Sequence, residues 1–135
     1  MFFDKSKNKN DDFIKIASLL VHAAKIDENY TANEEDIIRR ALIEVGAEEE
    51  NLEKLLNEAK INEANSVQIL DFTKEVKNMD DNNKIKIVET LWRIIYSNNE
   101  ADIFETNLMR RLTGLLYIDS NLMGSIKEKI KKENQ

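Results

Sequence analysis

The sequence predicts an all-α protein: a compact bundle of about seven helices with an internal helix–corner–helix duplication. Three observations point to this class. There is no proline and there are only three glycines in 135 residues, so the usual helix breakers are nearly absent. Apolar residues recur at spacings of three and four, and no segment sustains a two-residue alternation. The chain is rich in Glu, Lys, Leu and Ile, three of which rank among the better helix formers.

Residues 1–12 are polar and aperiodic apart from Phe2 and Phe3, and they read as a flexible tail before a single domain over residues 13–133. The first helix is expected from about Asp12 to Ile26. Phe13, Ile16, Leu20 and Ala24 form its apolar face, which Ala17 and Val21 widen. The polar run DENYTANEE interrupts it. Thr31 then reads as an N-cap with Glu34 at the third helical position, a capping box opening a helix through Val45, and Gly46 stands where a left-handed cap belongs. A third helix over about Glu48–Asn62 carries Leu52, Leu55, Leu56 and Ala59. Asn65 or Ser66 is expected to cap a fourth, with Val67, Ile69, Leu70, Phe72 and Val76. Asp80 or Asp81 caps a fifth, from about Asn83 to Ser97, whose core residues are Ile87, Leu91, Trp92 and Ile95. Asp102 opens the sixth, with Glu105 three residues on, and Asp119 opens the seventh, with Leu122, Met123, Ile126 and Ile130.

The chain also resembles itself. Shifting residues 16–45 by 71 positions lays HAAKIDENYTANEEDIIRR on RIIYSNNEADIFETNLMRR, pairing Asp27 with Asn98, Glu34 with Glu105, and Arg39-Arg40 with Arg110-Arg111. The alignment predicts a duplicated helix–corner–helix unit with two helices between the copies, the halves closing on each other over Leu20, Ala24, Leu91, Trp92 and Ile95.

Composition excludes several classes of function. Without cysteine there are no disulfides, thiolate metal sites or cysteine nucleophiles, and one histidine, His22, rules out sites needing two imidazoles. Twenty-six acids against 20 bases give a net charge of −6, the wrong sign for a phosphate-backbone binder, so no nucleic-acid partner is expected. No apolar run reaches the ~20 residues of a transmembrane segment. The stretch IASLLVHAA follows three lysines but lacks a small-x-small cleavage site, and the expected compartment is the cytoplasm. No G-x-S-x-G, phosphate-binding glycine loop or dinucleotide fingerprint appears, and without proline there is no His-Pro-Asp of a J-domain.

Leu19-Leu-Val-His-Ala-Ala-Lys-Ile-Asp27 followed by Glu34 resembles the first signature of the TerB-like family. Ser66-Val-Gln-Ile-Leu-Asp-Phe-Thr73, and Ile87 to Tyr96 with Glu105 and Arg110-Arg111, resemble its later segments, so the likeness covers about residues 13–130. That family comprises the tellurite-resistance TerB proteins and the related domain of the co-chaperone DjlA. The resemblance implies a compact helical cytoplasmic domain whose two acidic corners gather a divalent cation. The family's corner is Ala-Asp-Gly with a glutamate seven positions after the aspartate. Asp27 and Glu34 match the first corner, with Glu28 in place of glycine; in the second, Glu105 matches while Asn98 replaces the aspartate and Asn99 the glycine.

Asp27, Glu34, Asp102 and Glu105 are therefore the candidate metal residues, for a weakly bound Ca²⁺ or Mg²⁺, since hard cations want several converging oxygens. Neither corner is an EF-hand: counting from Asp27, the sixth position is Ala32 and the twelfth Ile38. A structural account competes, because Glu34 and Glu105 complete capping boxes and acids suit the first turn of a helix. The Glu35–Arg39 and Asp36–Arg40 spacings predict surface ion pairs. His22 reads as structural, with a ligand role at the corner as the alternative.

Residues 27–58 hold eleven acids and three bases, net −8, leaving +2 for the rest; such a face is solvated or docks a basic partner. The expected function is a non-enzymatic interaction or adaptor module, with an unidentified protein partner, in a bacterial stress or envelope-associated system. The alternatives are a carboxylate-based metalloenzyme using the same acids, or a peripheral membrane module using Phe2, Phe3 and the nearby lysines.

Overall fold

The computed structural model describes residues 5–26, 31–65, 69–97 and 103–133. Among them are seven α-helices and no strand: α1 (Lys5–Lys25), α2 (Ala32–Glu44), α3 (Leu52–Asn65), α4 (Leu70–Lys77), α5 (Asp81–Tyr96), α6 (Ile103–Leu115) and α7 (Ser120–Glu133), with a 3-10 turn, Glu49–Asn51, leading into α3. The all-α expectation holds. Helix α1 begins at Lys5, ahead of the apolar periodicity, because residues 5–11 contain no breaker and extending a formed helix is far easier than nucleating one.

Helices α1 and α5 form the centre. Helix α1 packs on α2, α3, α4 and α5, and α5 packs on α2, α4 and α7. Leu20, Ala24, Leu91, Trp92 and Ile95 are all buried in one continuous core. Trp92 stacks on Tyr96 with ring centroids 5.9 Å apart and donates its indole N–H to the Met123 sulfur at 3.3 Å, which fixes α7 against α5.

Polar residues cap α2, α5 and α7 where the sequence suggests. Asp80 caps α5 by accepting the Asn83 N–H at 2.8 Å, and Asp119 accepts the Asn121 N–H at 3.2 Å beside α7. Helix α4 departs from the expectation. Asn65 is the last residue of α3, Ser66 lies outside the described residues, and Ile69 holds the N-cap position with no side-chain cap. Burial of Ile69 and Phe72, not a polar cap, locates that start.

The duplication reaches further than the sequence alignment. At the end of α2, Gly46 has φ +114°, its N–H bonds to the Ile43 carbonyl, and Ala47 N–H bonds to Leu42, a Schellman closure. Seventy-one residues on, Tyr117 has φ +55°, its N–H bonds to Gly114, and Ile118 N–H bonds to Thr113. The third helices also match: Leu52, Leu55 and Ala59 of α3 are buried, and so are Met123, Ile126 and Ile130 of α7. The repeated unit is thus three helices long, and α4 alone separates the copies, where the sequence suggested two helices between them. Residue types in α3 and α7 differ, which hid the match, but three of the four buried positions of α3 recur in α7, the fourth, Leu56, corresponding to the half-buried Lys127. The halves pack unequally, since α2 lies on both α1 and α5 whereas α6 rests chiefly on α4.

Candidate functional site

The described part of the first corner is built around Glu34. Thr31 is extended (φ −105°, ψ 162°) and its Oγ1 accepts the Glu34 N–H at 3.2 Å. In return Glu34 Oε1 accepts both the Thr31 N–H at 2.9 Å and the Thr31 hydroxyl at 3.1 Å. The capping box is therefore complete, and the Glu34 side chain is only 1% exposed. Burying a carboxylate costs several kcal/mol unless hydrogen bonds replace its water, and this box supplies part of the replacement. Glu105 holds the equivalent place in α6 and is 3% exposed. These are the two buried carboxylates among the described residues.

Of the four expected metal residues, the structure thus places Glu34 and Glu105 in the interior, each at a helix start. Asp27 and Asp102 lie outside the described residues, as do Glu28, Asn29, Asn98, Asn99 and Glu100. Among the described residues no three His, Asp or Glu side chains cluster closely enough to hold a metal ion.

His22 is tied to α3. Its Nδ1 lies 3.2 Å from Glu63 Oε1, and Lys25 Nζ lies 2.8 Å from Glu63 Oε2. Burial pushes the Glu63 carboxyl up, but the hydrogen bonds and charges of Lys25 and His22 together outweigh it and hold the pKa below the ordinary value. Sequence reasoning missed Glu63, which is 41 residues from His22. A signal was present: Glu63 continues the Leu52, Leu56, Ala59 stripe at helical spacing, and an acid in line with a core stripe implies a cationic partner on the neighbouring helix.

The twin arginines divide. Arg39 gathers Glu35 Oε1 at 3.0 Å, Asp36 Oδ1 at 3.0 Å and Glu53 Oε1 at 2.7 Å, and it holds the Glu53 carboxyl below its usual range. The Glu35–Arg39 pair forms as expected. The Asp36–Arg40 pair does not, because Asp36 turns to Arg39, on the face nearer α3, while Arg40 projects toward α5. Arg40, Arg110 and Arg111 form no ion pair with another described residue.

Two open grooves flank these arginines. One lies between α1 and α6, about 350 Å³, lined by His22, Ile26, Asn107, Leu108 and Arg111. The other lies between α2 and α5, about 170 Å³, lined by Ile37, Arg40, Ala41, Glu44, Thr90 and Arg93. The duplication exchanges them, since His22 corresponds to Arg93, Arg111 to Arg40 and Leu108 to Ile37.

A family model described as tellurite resistance protein TerB matches residues 13–128. The chain belongs to the TerB family. The matched span begins just before the first apolar turn of α1 and ends within α7, so it takes in both corners and all seven helices. No curated protein and no solved structure matches the chain. Among the described residues of this TerB-family chain, no helix is long and apolar enough to cross a membrane.

Proposed function

We propose that this TerB-family chain is a non-catalytic interaction module of the cytoplasm, acting in a stress-response or envelope-associated system of the tellurite-resistance kind. In this reading a basic protein partner docks on the acidic surface around the 3-10 turn and the start of α3. The domain spans residues 13–133, and the corners at Asp27, Glu34, Asp102 and Glu105 gather Ca²⁺ or Mg²⁺ weakly as a modulator.

The observation that supports docking is a divergence between equivalent elements. Helices α3 and α7 share three buried positions, but their solvent faces carry opposite charge. Glu48, Glu49, Glu50, Glu53 and Glu58 are exposed at the first, whereas Lys129, Lys131 and Lys132 are exposed on the second. Buried positions answer to packing, while exposed positions are free to answer to a partner. Like charges crowded along one short stretch repel each other, and a basic partner relieves that repulsion.

Affinity capture from native lysate with the wild type and with Glu49→Lys/Glu50→Lys tests this reading. Both sites are exposed, so the variant is expected to fold. A protein retained by the wild type and lost from the variant, with retention falling as salt is raised, is the expected result. Equal capture by both forms overturns the docking surface.

A further inference from the structure

We infer that the groove between α1 and α6 binds a small organic oxyanion, a phosphate monoester or a carboxylate with an apolar body, gripped by Arg111 and Asn107. The proposal is independent of the docking face above.

An exposed arginine without a partner is ordinary by itself. This one is set apart by its surroundings. Acids outnumber bases by 26 to 20 in the chain, yet Arg111 has no carboxylate against it among the described residues. Asn107 lies one turn earlier on the same face of α6, so a guanidinium and an amide line one wall together. A guanidinium presents a planar fork of N–H donors that matches two oxygens of a carboxylate or phosphoryl group. Across the groove stands His22. Its Nδ1 is engaged by Glu63, leaving Nε2 as the ring atom for a ligand. The neutral ring there accepts a hydrogen bond from a ligand hydroxyl, and the imidazolium donates one to the oxyanion. Ile26 and Leu108 add apolar surface. A groove of about 350 Å³ is small for an organic ligand but sufficient for one.

The equivalent groove between α2 and α5 supplies the contrast. There Arg93 occupies the place of His22, but it is held by Glu133 at 3.2 Å, and the carboxylate-bearing Glu44 lines the wall beside Arg40. That space is about half as large. Among the described residues neither Arg111 nor Arg40 has an ion pair, but a carboxylate, that of Glu44, lines the second groove while none lines the first. Only the first is suited to an anion.

Titrations of the full chain with inorganic phosphate, phenyl phosphate and phenylacetate, followed by amide and arginine side-chain NMR, test the assignment. Phenyl phosphate or phenylacetate is expected to shift the signals of His22, Asn107 and Arg111, and to bind several-fold tighter than inorganic phosphate. Whichever of the two binds tighter identifies the oxyanion. Arg111→Gln should weaken binding by about tenfold or more, the cost of one charge-assisted contact. Its melting temperature should stay that of the wild type, because Arg111 has no ion pair with another described residue to lose. Arg110→Gln, next in sequence but outside the groove, and Arg40→Gln, in the other groove, should leave affinity within about twofold. Equal losses from Arg110→Gln and Arg111→Gln would mean diffuse attraction and overturn the site. So would an absence of shifts with both organic anions, or a response only to a glutamate-rich peptide, which would make the surface a protein contact. Equal affinity for inorganic phosphate would overturn the role of Ile26 and Leu108.

Discussion

Replacing Glu34 in two ways separates its capping role from its proposed part in cation binding. Both described hydrogen bonds to its side chain end on one oxygen, Oε1, which accepts the Thr31 N–H at 2.9 Å and the Thr31 hydroxyl at 3.1 Å. Glu34→Gln keeps a carbonyl oxygen in that place and exchanges the other oxygen for an amide nitrogen, which cannot coordinate a hard cation. Glu34→Ala removes both acceptors and leaves the partly buried Thr31 N–H short of a partner. Loss of a cap costs about 1 kcal/mol, and an unsatisfied donor brings the total to about 1–3 kcal/mol. For a domain of this size that is roughly 4–12 °C in Tm. Thermal unfolding followed by circular dichroism should therefore place Glu34→Gln above Glu34→Ala, because only the former keeps an acceptor for the Thr31 N–H and hydroxyl. In parallel, Ca²⁺ and Mg²⁺ titrations by NMR should show wild-type dissociation constants of about 10⁻⁴–10⁻³ M, with the response lost in both variants and in Asp27→Asn. Asn98→Asp should strengthen binding if the two corners share one ion. A full cation response in Glu34→Gln would refute its role as a ligand, and a Glu34→Gln protein as unstable as Glu34→Ala would refute the hydrogen-bond accounting.

Two further outcomes follow from local geometry. Gly46→Ala should cost about 1–2 kcal/mol, because its φ of +114° is strained for any side chain although the added Cβ would meet Phe13 only at an ordinary 3.6 Å; Gly124→Ala, inside α7 with open space around it, should instead gain about 0.5–1 kcal/mol. Both are read from urea unfolding midpoints, and the same sign for the two would contradict the backbone argument. The lowered pKa of Glu63 means that its ion pairs stabilise the fold above the unfolded carboxyl value of about 4.3 and stop doing so as pH falls through the lower folded value. Glu63→Gln should therefore lose stability at pH 7 and show a flatter decline than the wild type below about pH 5, measured by denaturant unfolding across that range.

The parts of this fold that were legible in the sequence are those fixed by local chemistry. Thr31 with Glu34, Asp80, and Gly46 each act on backbone groups a few residues away, so their spacing alone identifies them. The apolar stripes were equally plain, down to Trp92 and Ile95 in the core. Long-range choices were not. Nothing near Asp36 in the sequence says that Arg39 will also collect Glu53 and draw Asp36 with it, leaving Arg40 outside the network. The start of α4 differs from the expected one for a related reason: Asn65, one of its two expected caps, instead continues α3, which packs along α1.

The duplication shows why the candidate sites were harder to see than the frame that holds them. Equivalent buried positions of the third helices keep apolar side chains, so Leu52 and Met123, or Leu55 and Ile126, still match in burial. Tyr117 at φ +55° keeps the same Schellman turn that Gly46 makes, at a conformational cost of about 1–2 kcal/mol for a residue with a Cβ. Lys77 lies 4.7 Å from the Tyr117 ring centroid and offsets some of that cost. Exposed positions have no such restriction. There His22 corresponds to Arg93 in the repeat, Arg111 to Arg40, and an acidic third helix to a basic one. Each pair shares a backbone position but not its surroundings: Glu63 meets His22 where Glu133 meets Arg93, and among the described residues Glu44 lines the groove of Arg40 while no carboxylate lines that of Arg111. Sequence periodicity reports the constraint that both halves obey. The chemistry lies in where they stop obeying it together, and that difference becomes visible only when one half is laid on the other in three dimensions.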